Sequence, residues 1–194
     1  MSTADASADA SAVRPVRLLT VCLGNICRSP TAEAALVEAA AEHGLDVEVA
    51  SAGTGDWHLG HEPHPPMRAA AAERGLELRG TAQLVDPRLL ARADLVLVMD
   101  RKNLADVTRI ATEHAVDTPI ALFRRFDPEP TASPTFDGYA PDEVPDPYGG
   151  GPEGFDEVVR ICRRTARAIV AGWPALVDDL TMERQASPEQ GGPR

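Results

Sequence analysis

Short apolar runs alternate with amphipathic segments along most of the chain. Four apolar, β-branched runs predict strands at residues 16–21, 46–51, 95–99 and 119–123. Helical periodicity and helix start and stop signals predict helices at residues 30–43, 66–74, 101–114 and 154–171. Strands that alternate with helices are typical of a parallel α/β sheet. The pattern therefore predicts one α/β domain with its helices packed against a central sheet.

Three segments do not follow this pattern. Residues 1–14 and 184–194 are polar and of low complexity, so we expect them to be disordered, which leaves 15–183 as the folded domain. Residues 124–153 hold seven of the 17 prolines and have no regular period. Because a long irregular segment in a compact domain is usually functional, we expect it to complete a site.

Charge and composition narrow the class of protein. Thirty acidic against 19 basic residues give the 194-residue chain a net charge of −11, which disfavours nucleic acid and anionic membranes as partners. Its apolar runs are too short to span a bilayer, and its N-terminus lacks the features of a signal peptide. Three cysteines do not form a disulfide framework. These features predict a cytoplasmic protein.

The segment VCLGNICRSP, residues 21–30, has the properties of a phosphate-binding loop. Gly24 and Asn25 tolerate a positive φ, so the loop can turn its N–H groups inward toward an anion. The helix that follows adds its N-terminal N–H groups, and Arg28 adds a bidentate fork. In that field we expect Cys22 to be a thiolate, with the Ser29 hydroxyl donating to it.

The alternative for this segment is a buried core thiol beside a glycine turn. That interpretation leaves Arg28 next to a helix N-terminus with no anion to balance the two positive charges, which electrostatics disfavours.

Cleavage of a phosphate ester by Cys22 would also require a general acid to protonate the leaving oxygen. The irregular segment offers seven candidates: Asp127, Glu129, Asp137, Asp142, Glu143, Asp146 and Glu153. Only Asp146 combines a rigid turn at Pro147, an aromatic neighbour at Tyr148 and three following glycines. Composition alone does not exclude the other six acidic residues as the general acid.

Four short motifs resemble the bacterial, cysteine-dependent low-molecular-weight protein tyrosine phosphatase family. They are VCLGNICRSP, the SAGT segment from Ser51, the strand LVLVMD ending in Asp100, and the DPYG segment from Asp146. The resemblance covers about residues 15 to 180. It implies a three-layer domain in which helices flank a four-stranded parallel sheet, with the phosphate loop between the first strand and the first helix.

The resemblance also implies roles for particular residues. Cys22 would be the nucleophile, Arg28 the phosphate clamp and Asp146 the general acid, with no metal and no cofactor. The substrate would be held by Leu23, Gly24, Asn25, Ile26, Cys27, Ser29, Trp57 and Tyr148. Trp57 and Tyr148 would form the aromatic walls of the pocket, and the substrates would be phosphotyrosine-containing proteins. We expect the protein to be a monomer.

Some positions depart from the family or remain ambiguous. A histidine that often supports the phosphate loop would fall near Gly80, and none is there. In the family Cys27 is similar to a partner that traps an oxidised nucleophile as a disulfide, although a plain packing role is equally compatible with the sequence. Cys162 lies on the last predicted helix, where we expect it to be a buried hydrophobe.

Three other functions fit parts of the same pattern. A phosphoarginine phosphatase resembles this chain but has threonine where Ile26 stands. An arsenate reductase shares the fold and loop, yet its relay needs further cysteines, and none lies between Cys27 and Cys162. A non-catalytic phosphate-binding regulator is disfavoured by the intact set of Cys22, Arg28 and Asp146.

Overall fold

The computed structural model describes residues 14–173, 175 and 176. The predicted disordered tail, and the predicted N-terminal extension apart from Arg14, lie outside these residues. Within the described part of the chain, no helix is long and apolar enough to cross a membrane.

Four strands form one parallel sheet in the order β2-β1-β3-β4. The strands are β1 (Val16–Cys22), β2 (Val47–Gly53), β3 (Leu95–Val98) and β4 (Ile120–Leu122). The helices are α1 (Arg28–His43), α2 (Pro65–Glu73), α3 (Pro87–Arg92), α4 (Arg101–Glu113) and α5 (Pro152–Ala171). A 3-10 helix, Phe123–Phe126, follows β4. The predicted fold class is confirmed.

The structure differs from the sequence-based prediction by one or two residues at most element ends, and it has one further α-helix. Helix α1 begins at Arg28, so Pro30 is its third residue rather than its first. Helix α3 was not predicted, because six residues are too few to show helical periodicity. It begins after Asp86, whose carboxylate accepts hydrogen bonds from the Arg88 and Leu89 N–H groups.

The sheet is buried on both faces because successive strand residues point in opposite directions. Leu95 and Leu97 pack on the side of α1, α2 and α5, whereas Val96 and Val98 pack on the side of α3 and α4. A strand of four buried apolar residues is what a doubly covered sheet requires. The domain therefore has the three predicted layers.

The irregular segment 124–153 is organised around a buried arginine. The Arg124 side chain donates to the main-chain oxygens of Thr131 and Glu143 and lies 3.4 Å from Asp127. Asp127 also receives two hydrogen bonds from Arg164 of α5, at 2.5 and 2.6 Å. Burial opposes the ionisation of Asp127, but the hydrogen bonds and charge of Arg164, together with the Glu129 N–H and Arg124, outweigh it and keep the pKa of Asp127 below its usual value.

Replacing Asp127 with Asn should destabilise the fold. The Asp127 side chain is fully buried and Arg124 nearly so, which means that the variant removes the carboxylate with which this buried cation is paired. We expect a loss of about 3 kcal/mol in the free energy of unfolding at pH 7, measured by urea denaturation. Because the pKa is lower in the folded state, this stabilisation is present above about pH 4 and is lost as the pH falls through the folded pKa.

The control for this prediction is Asp142→Asn, which removes a carboxylate paired with the exposed Arg101. This pair should contribute less than about 1 kcal/mol. Equal losses in the two variants would contradict the role assigned to the buried cluster.

Candidate active site

The phosphate loop connects the carboxyl end of β1 to the N-terminus of α1. Cys22 is the last residue of β1, and its sulfur accepts a hydrogen bond from the Asn25 N–H at 3.2 Å. The Ser29 hydroxyl lies 3.1 Å from the same sulfur. Asn25 has a φ of +52°, as the sequence analysis anticipated for this turn. The loop is thus folded around the sulfur, and these contacts stabilise negative charge on it.

The Asn25 side chain holds the loop from behind. Its amide donates to the hydroxyls of Ser29 and Ser51, both at 2.9 Å, and its carbonyl accepts from the Gln83 N–H at 2.9 Å. The Gln83 side chain in turn donates to the Ser51 main-chain oxygen at 2.8 Å. We call Asn25, Ser29, Ser51 and Gln83 the brace. It places Asn25 and Ser29 behind the loop, rather than among the side chains that line the pocket in front.

Gln83 was missed by sequence reasoning. It lies three residues after Gly80, where the family often supplies a histidine, and its contact with Asn25 is made by the main chain. No side-chain motif signals a main-chain contact, so the sequence offered no means of finding it.

Gly53 allows the end of β2 to approach the loop closely. A β-carbon at this position would lie 2.8 Å from the Leu23 oxygen and 3.1 Å from the Asn25 nitrogen. Both are backbone atoms of the phosphate loop, so a larger residue would displace the loop. This contact gives a physical reason for the glycine in the SAGT motif.

Arg28 is a buried cation shared by two carboxylates. One terminal nitrogen donates to Asp100 at 2.6 Å, and the other donates to Asp146 at 2.7 Å. Burial alone would lower the pKa of Arg28, but the negative charges of Cys22, Asp146 and Asp100 outweigh it and raise that pKa. Asp100 also caps α4 by accepting from the Asn103 N–H, which fixes its position.

The irregular segment delivers Asp146 to this pocket, as expected. Three of the competing acids are engaged elsewhere. Asp127 is buried against Arg124 and Arg164, Asp142 pairs with Arg101, and Glu143 accepts from the Arg101 and Ala140 N–H groups. Asp146 instead faces Arg28 and accepts from the Tyr148 N–H, which makes a tight turn at Pro147.

These groups surround a pocket of about 160 Å³. Its walls are Cys22, Leu23, Gly24, Ile26, Cys27, Arg28, Trp57, His58, Asp146 and Tyr148. The structure therefore brings the three predicted catalytic side chains and both predicted aromatic walls to one place. Within the described part of the chain, no three His, Cys, Asp or Glu side chains are grouped to hold a metal ion.

The rim of the pocket is aromatic and exposed. Trp57 is 68% exposed and Tyr148 57%. Trp57 folds back over Gly55, where a β-carbon would lie 1.9 Å from its ring. His58, which sequence reasoning did not assign to the site, packs over Gly24 of the loop, and its ring centroid lies 5.9 Å from that of Tyr148.

A second histidine supports the other side of Tyr148. The ring centroid of His64 lies 5.1 Å from that of Tyr148, and the His64 N–H donates to the Ile26 oxygen at 2.8 Å. Burial, followed by the charge of His58, lowers the pKa of His64. The segment between β2 and α2 is thereby attached both to the phosphate loop and to the aromatic rim.

The other two cysteines are free and buried. Burial is the main cause that raises the pKa values of both Cys27 and Cys162. Cys162 is fully buried on α5, as expected, whereas Cys27 lines the pocket beside Cys22.

Sequence comparison gives a consistent assignment. The model of the family described as "Low molecular weight phosphotyrosine protein phosphatase" matches residues 17–183. A low molecular weight protein-tyrosine-phosphatase of Streptomyces coelicolor is 34% identical over 157 residues, covering 80% of this chain and 92% of that protein. The protein YfkJ of Bacillus subtilis, which carries the same description, is 31% identical over 80% of this chain and 94% of its own length.

Solved structures agree with this assignment. A protein tyrosine phosphatase from Entamoeba histolytica, with Hepes in its active site, superposes with a TM-score of 0.73. It is 29% identical and covers 82% of this chain and 97% of that one. The crystal structure of YfkJ gives a TM-score of 0.70 at 29% identity, covering 84% and 98%. Family model, relatives and fold together show that the chain belongs to the low molecular weight phosphotyrosine protein phosphatase family.

Proposed function

We propose that this protein is a protein tyrosine phosphatase that works through a phosphocysteine intermediate on Cys22. The observation that carries the proposal is the convergence of Cys22, Arg28 and Asp146 in one pocket with an aromatic rim. The family match supports residues 15–183 as the catalytic domain. Because the reaction needs a reduced Cys22, we place the protein in the cytoplasm, where we expect it to act as a monomer.

In the first step the Cys22 thiolate attacks phosphorus in line with the ester oxygen. The sulfur–phosphorus bond forms as the phosphorus–oxygen bond breaks. Arg28 and the inward N–H groups of the loop stabilise the charge on the three equatorial oxygens. Asp146 gives its proton to the departing tyrosyl oxygen, which leaves as a neutral phenol.

In the second step the phosphocysteine is hydrolysed. Asp146, now ionised, takes a proton from a water molecule, and the water oxygen attacks phosphorus. The sulfur–phosphorus bond breaks, which releases inorganic phosphate and restores the Cys22 thiolate. The hydrogen bonds from Ser29 and Asn25 to the sulfur make it a better leaving group.

The pairing of Arg28 with Asp146 has a consequence for binding. A dianionic phosphate that enters the pocket would meet Arg28 and would lie beside the Asp146 carboxylate, 2.7 Å from the same guanidinium. Protonation of Asp146 removes that repulsion and supplies the proton needed by the leaving group. Substrate binding and general-acid catalysis thus favour the same protonation state of Asp146.

Cys22→Ser should abolish turnover but keep the binding of phosphate or vanadate, because the cradle consists of main-chain N–H groups and Arg28. Steady-state hydrolysis of para-nitrophenyl phosphate tests the first part, and calorimetric titration with phosphate tests the second. Arg28→Lys should lose both, since an ammonium group does not reproduce the bidentate fork. Retained hydrolysis in Cys22→Ser would rule out the covalent mechanism.

Asp146→Asn should lose activity mainly on substrates with poor leaving groups, since those need the proton. The rate on a phosphotyrosine peptide should fall more than the rate on an activated aryl phosphate. The variant should also bind phosphate more tightly than the parent enzyme, because it removes a negative charge from Arg28.

Asp142→Asn, four residues away and paired with Arg101, is the matched control and should change neither quantity. Equal losses on both substrates in Asp146→Asn, or a larger effect from the control, would reassign the acid.

Selectivity should come from the rim, since the main-chain N–H groups of the loop and Arg28 recognise only the phosphate group. Trp57 and Tyr148 offer flat faces to a phenyl ring, whereas phosphoserine is too short to bring its phosphate to Cys22 from that rim. We expect kcat/KM for phosphotyrosine peptides to exceed that for phosphoserine peptides by at least about a hundredfold, or roughly 2.7 kcal/mol.

Trp57→Ala should raise KM for aryl phosphates more than it lowers kcat, and Gly55→Ala should act in the same direction by displacing the Trp57 ring. Comparable rates on phosphoserine or phosphoarginine peptides would contradict the role given to the rim.

A panel of these peptides, with arsenate as a further substrate, also separates the alternative activities. Absence of any turnover would favour a non-catalytic regulator.

A further inference from the structure

A second cavity, of about 300 Å³, lies behind the phosphate loop and shares no lining residue with the pocket in front. Three members of the brace, Asn25, Ser51 and Gln83, form one of its walls. We call it the rear cavity. Its volume is at the lower end of the range for pockets that bind small molecules.

The rear cavity contains one acidic group. Glu33 of α1 is half-buried there, and its partial burial raises the pKa of its carboxyl, while the nearby Ser51 side chain partly opposes that shift. Within the described part of the chain, Glu33 forms no ion pair with an arginine or lysine. Arg79, at the edge of the cavity, is paired with Glu77 at 2.6 Å. Because a partly buried carboxylate is stabilised by an opposite charge, Glu33 favours the binding of a cation from solution.

The remaining walls restrict the shape of that cation. Pro30 and Pro63 present flat apolar surfaces, whereas Ser51 and Gln83 present hydrogen-bonding groups. A planar group with several N–H donors matches this combination, because it can pair with a carboxylate and pack against apolar faces together. The net charge of −11 also favours the accumulation of cations around the protein.

The brace connects the rear cavity to the nucleophile. Ser51, which lines the cavity together with Glu33, accepts a hydrogen bond from the Asn25 amide. That amide also donates to Ser29, and the Ser29 hydroxyl lies 3.1 Å from the Cys22 sulfur. A change in the charge or position of Glu33 therefore acts on the group that orients the loop. From Ser51 to the sulfur, the path consists of three hydrogen bonds.

We propose that the rear cavity is a regulatory binding site for a small planar nitrogen cation, of the guanidinium or amidinium class, which binds Glu33 and acts on the phosphate loop through Ser51 and Asn25. The effect on turnover rests on the proposed phosphatase function. Binding itself does not, so it is measured first and separately.

Binding is tested by two-dimensional NMR titration of the full chain with guanidinium and with benzamidinium. Tetramethylammonium, a cation without N–H donors, and sodium chloride at equal ionic strength serve as probe controls. We expect saturable shifts of the Glu33, Ser51 and Gln83 amide signals with the two planar cations only. Glu33→Gln should weaken this binding at least about tenfold, whereas Glu113→Gln, an exposed acid on α4, should leave it unchanged.

A second variant keeps the test decisive if Glu33→Gln is unstable. Thr81→Phe retains Glu33 and Ser51 but adds bulk at the lining of the cavity, and it should also abolish the shifts. Absence of saturable binding, equal binding to Glu33→Gln, or shifts confined to Trp57 and Tyr148 would overturn the site.

The coupling is tested by kinetics on an aryl phosphate at saturating benzamidinium. We expect kcat to change at least about twofold in the parent protein and not in Glu33→Gln. Binding without such a change would overturn the regulatory role and leave only a binding site. Absence of turnover in every sample, together with normal NMR binding, would contradict the proposed function and not the site.

Discussion

The buried guanidinium of Arg28 is the interaction on which the architecture of the site depends. A cation in this position needs compensating charge, because removing it from water without partners would cost several kcal/mol. Asp100 arrives from the end of β3 and Asp146 from the irregular segment, so one side chain holds together three parts of the chain that are far apart in sequence. In the proposed function, the same guanidinium also binds the phosphate.

The carboxyl edge of the sheet explains why these groups meet. In a parallel sheet all strands end on one side, so the loops after β1, β2 and β3 are neighbours. The loop after β1 provides the anion cradle, and the end of β2 approaches it so closely that position 53 must be glycine. The loop after β3 provides Asp100, which is fixed as the cap of α4. Gly53 and Asp100 are thus positioned by the ends of regular elements.

Much of this arrangement could be predicted from the sequence, and the reasons differ between its parts. The alternation of strands and helices predicted a sheet packed against helices, and the family resemblance implied three layers, which agree with the four buried apolar residues of β3. Cys22 and Arg28 lie in one contiguous segment, and the position of that segment between a strand and a helix also indicates an anion-binding loop. Asp146 could be identified only by its neighbours and by resemblance, since six other acids share its segment.

The parts that could not be predicted depend on contacts without a sequence signature. Gln83 supports Asn25 through its main-chain N–H, a group that almost every residue type possesses. His58 enters the rim because Gly24 leaves room for its ring. Arg124 is one of 18 arginines in the chain, and nothing in the local sequence indicates that its side chain is buried. Such roles follow from tertiary packing and become visible only when the fold is known.

The residues around the nucleophile are buried, whereas the aromatic residues of the rim are exposed. Cys22, Arg28, Ser29 and Asn25 are all at most 3% exposed, so their geometry is set by the interior of the domain. Trp57 and Tyr148 lie on the surface and are supported by contacts with Gly55 and His64 that the brace does not share. Because the two groups have different supports, substitutions at the rim can alter which esters enter without moving the nucleophile. Substitutions in the brace, by contrast, reach the sulfur through hydrogen bonds, so we expect them to change the rate on every substrate rather than the choice among substrates.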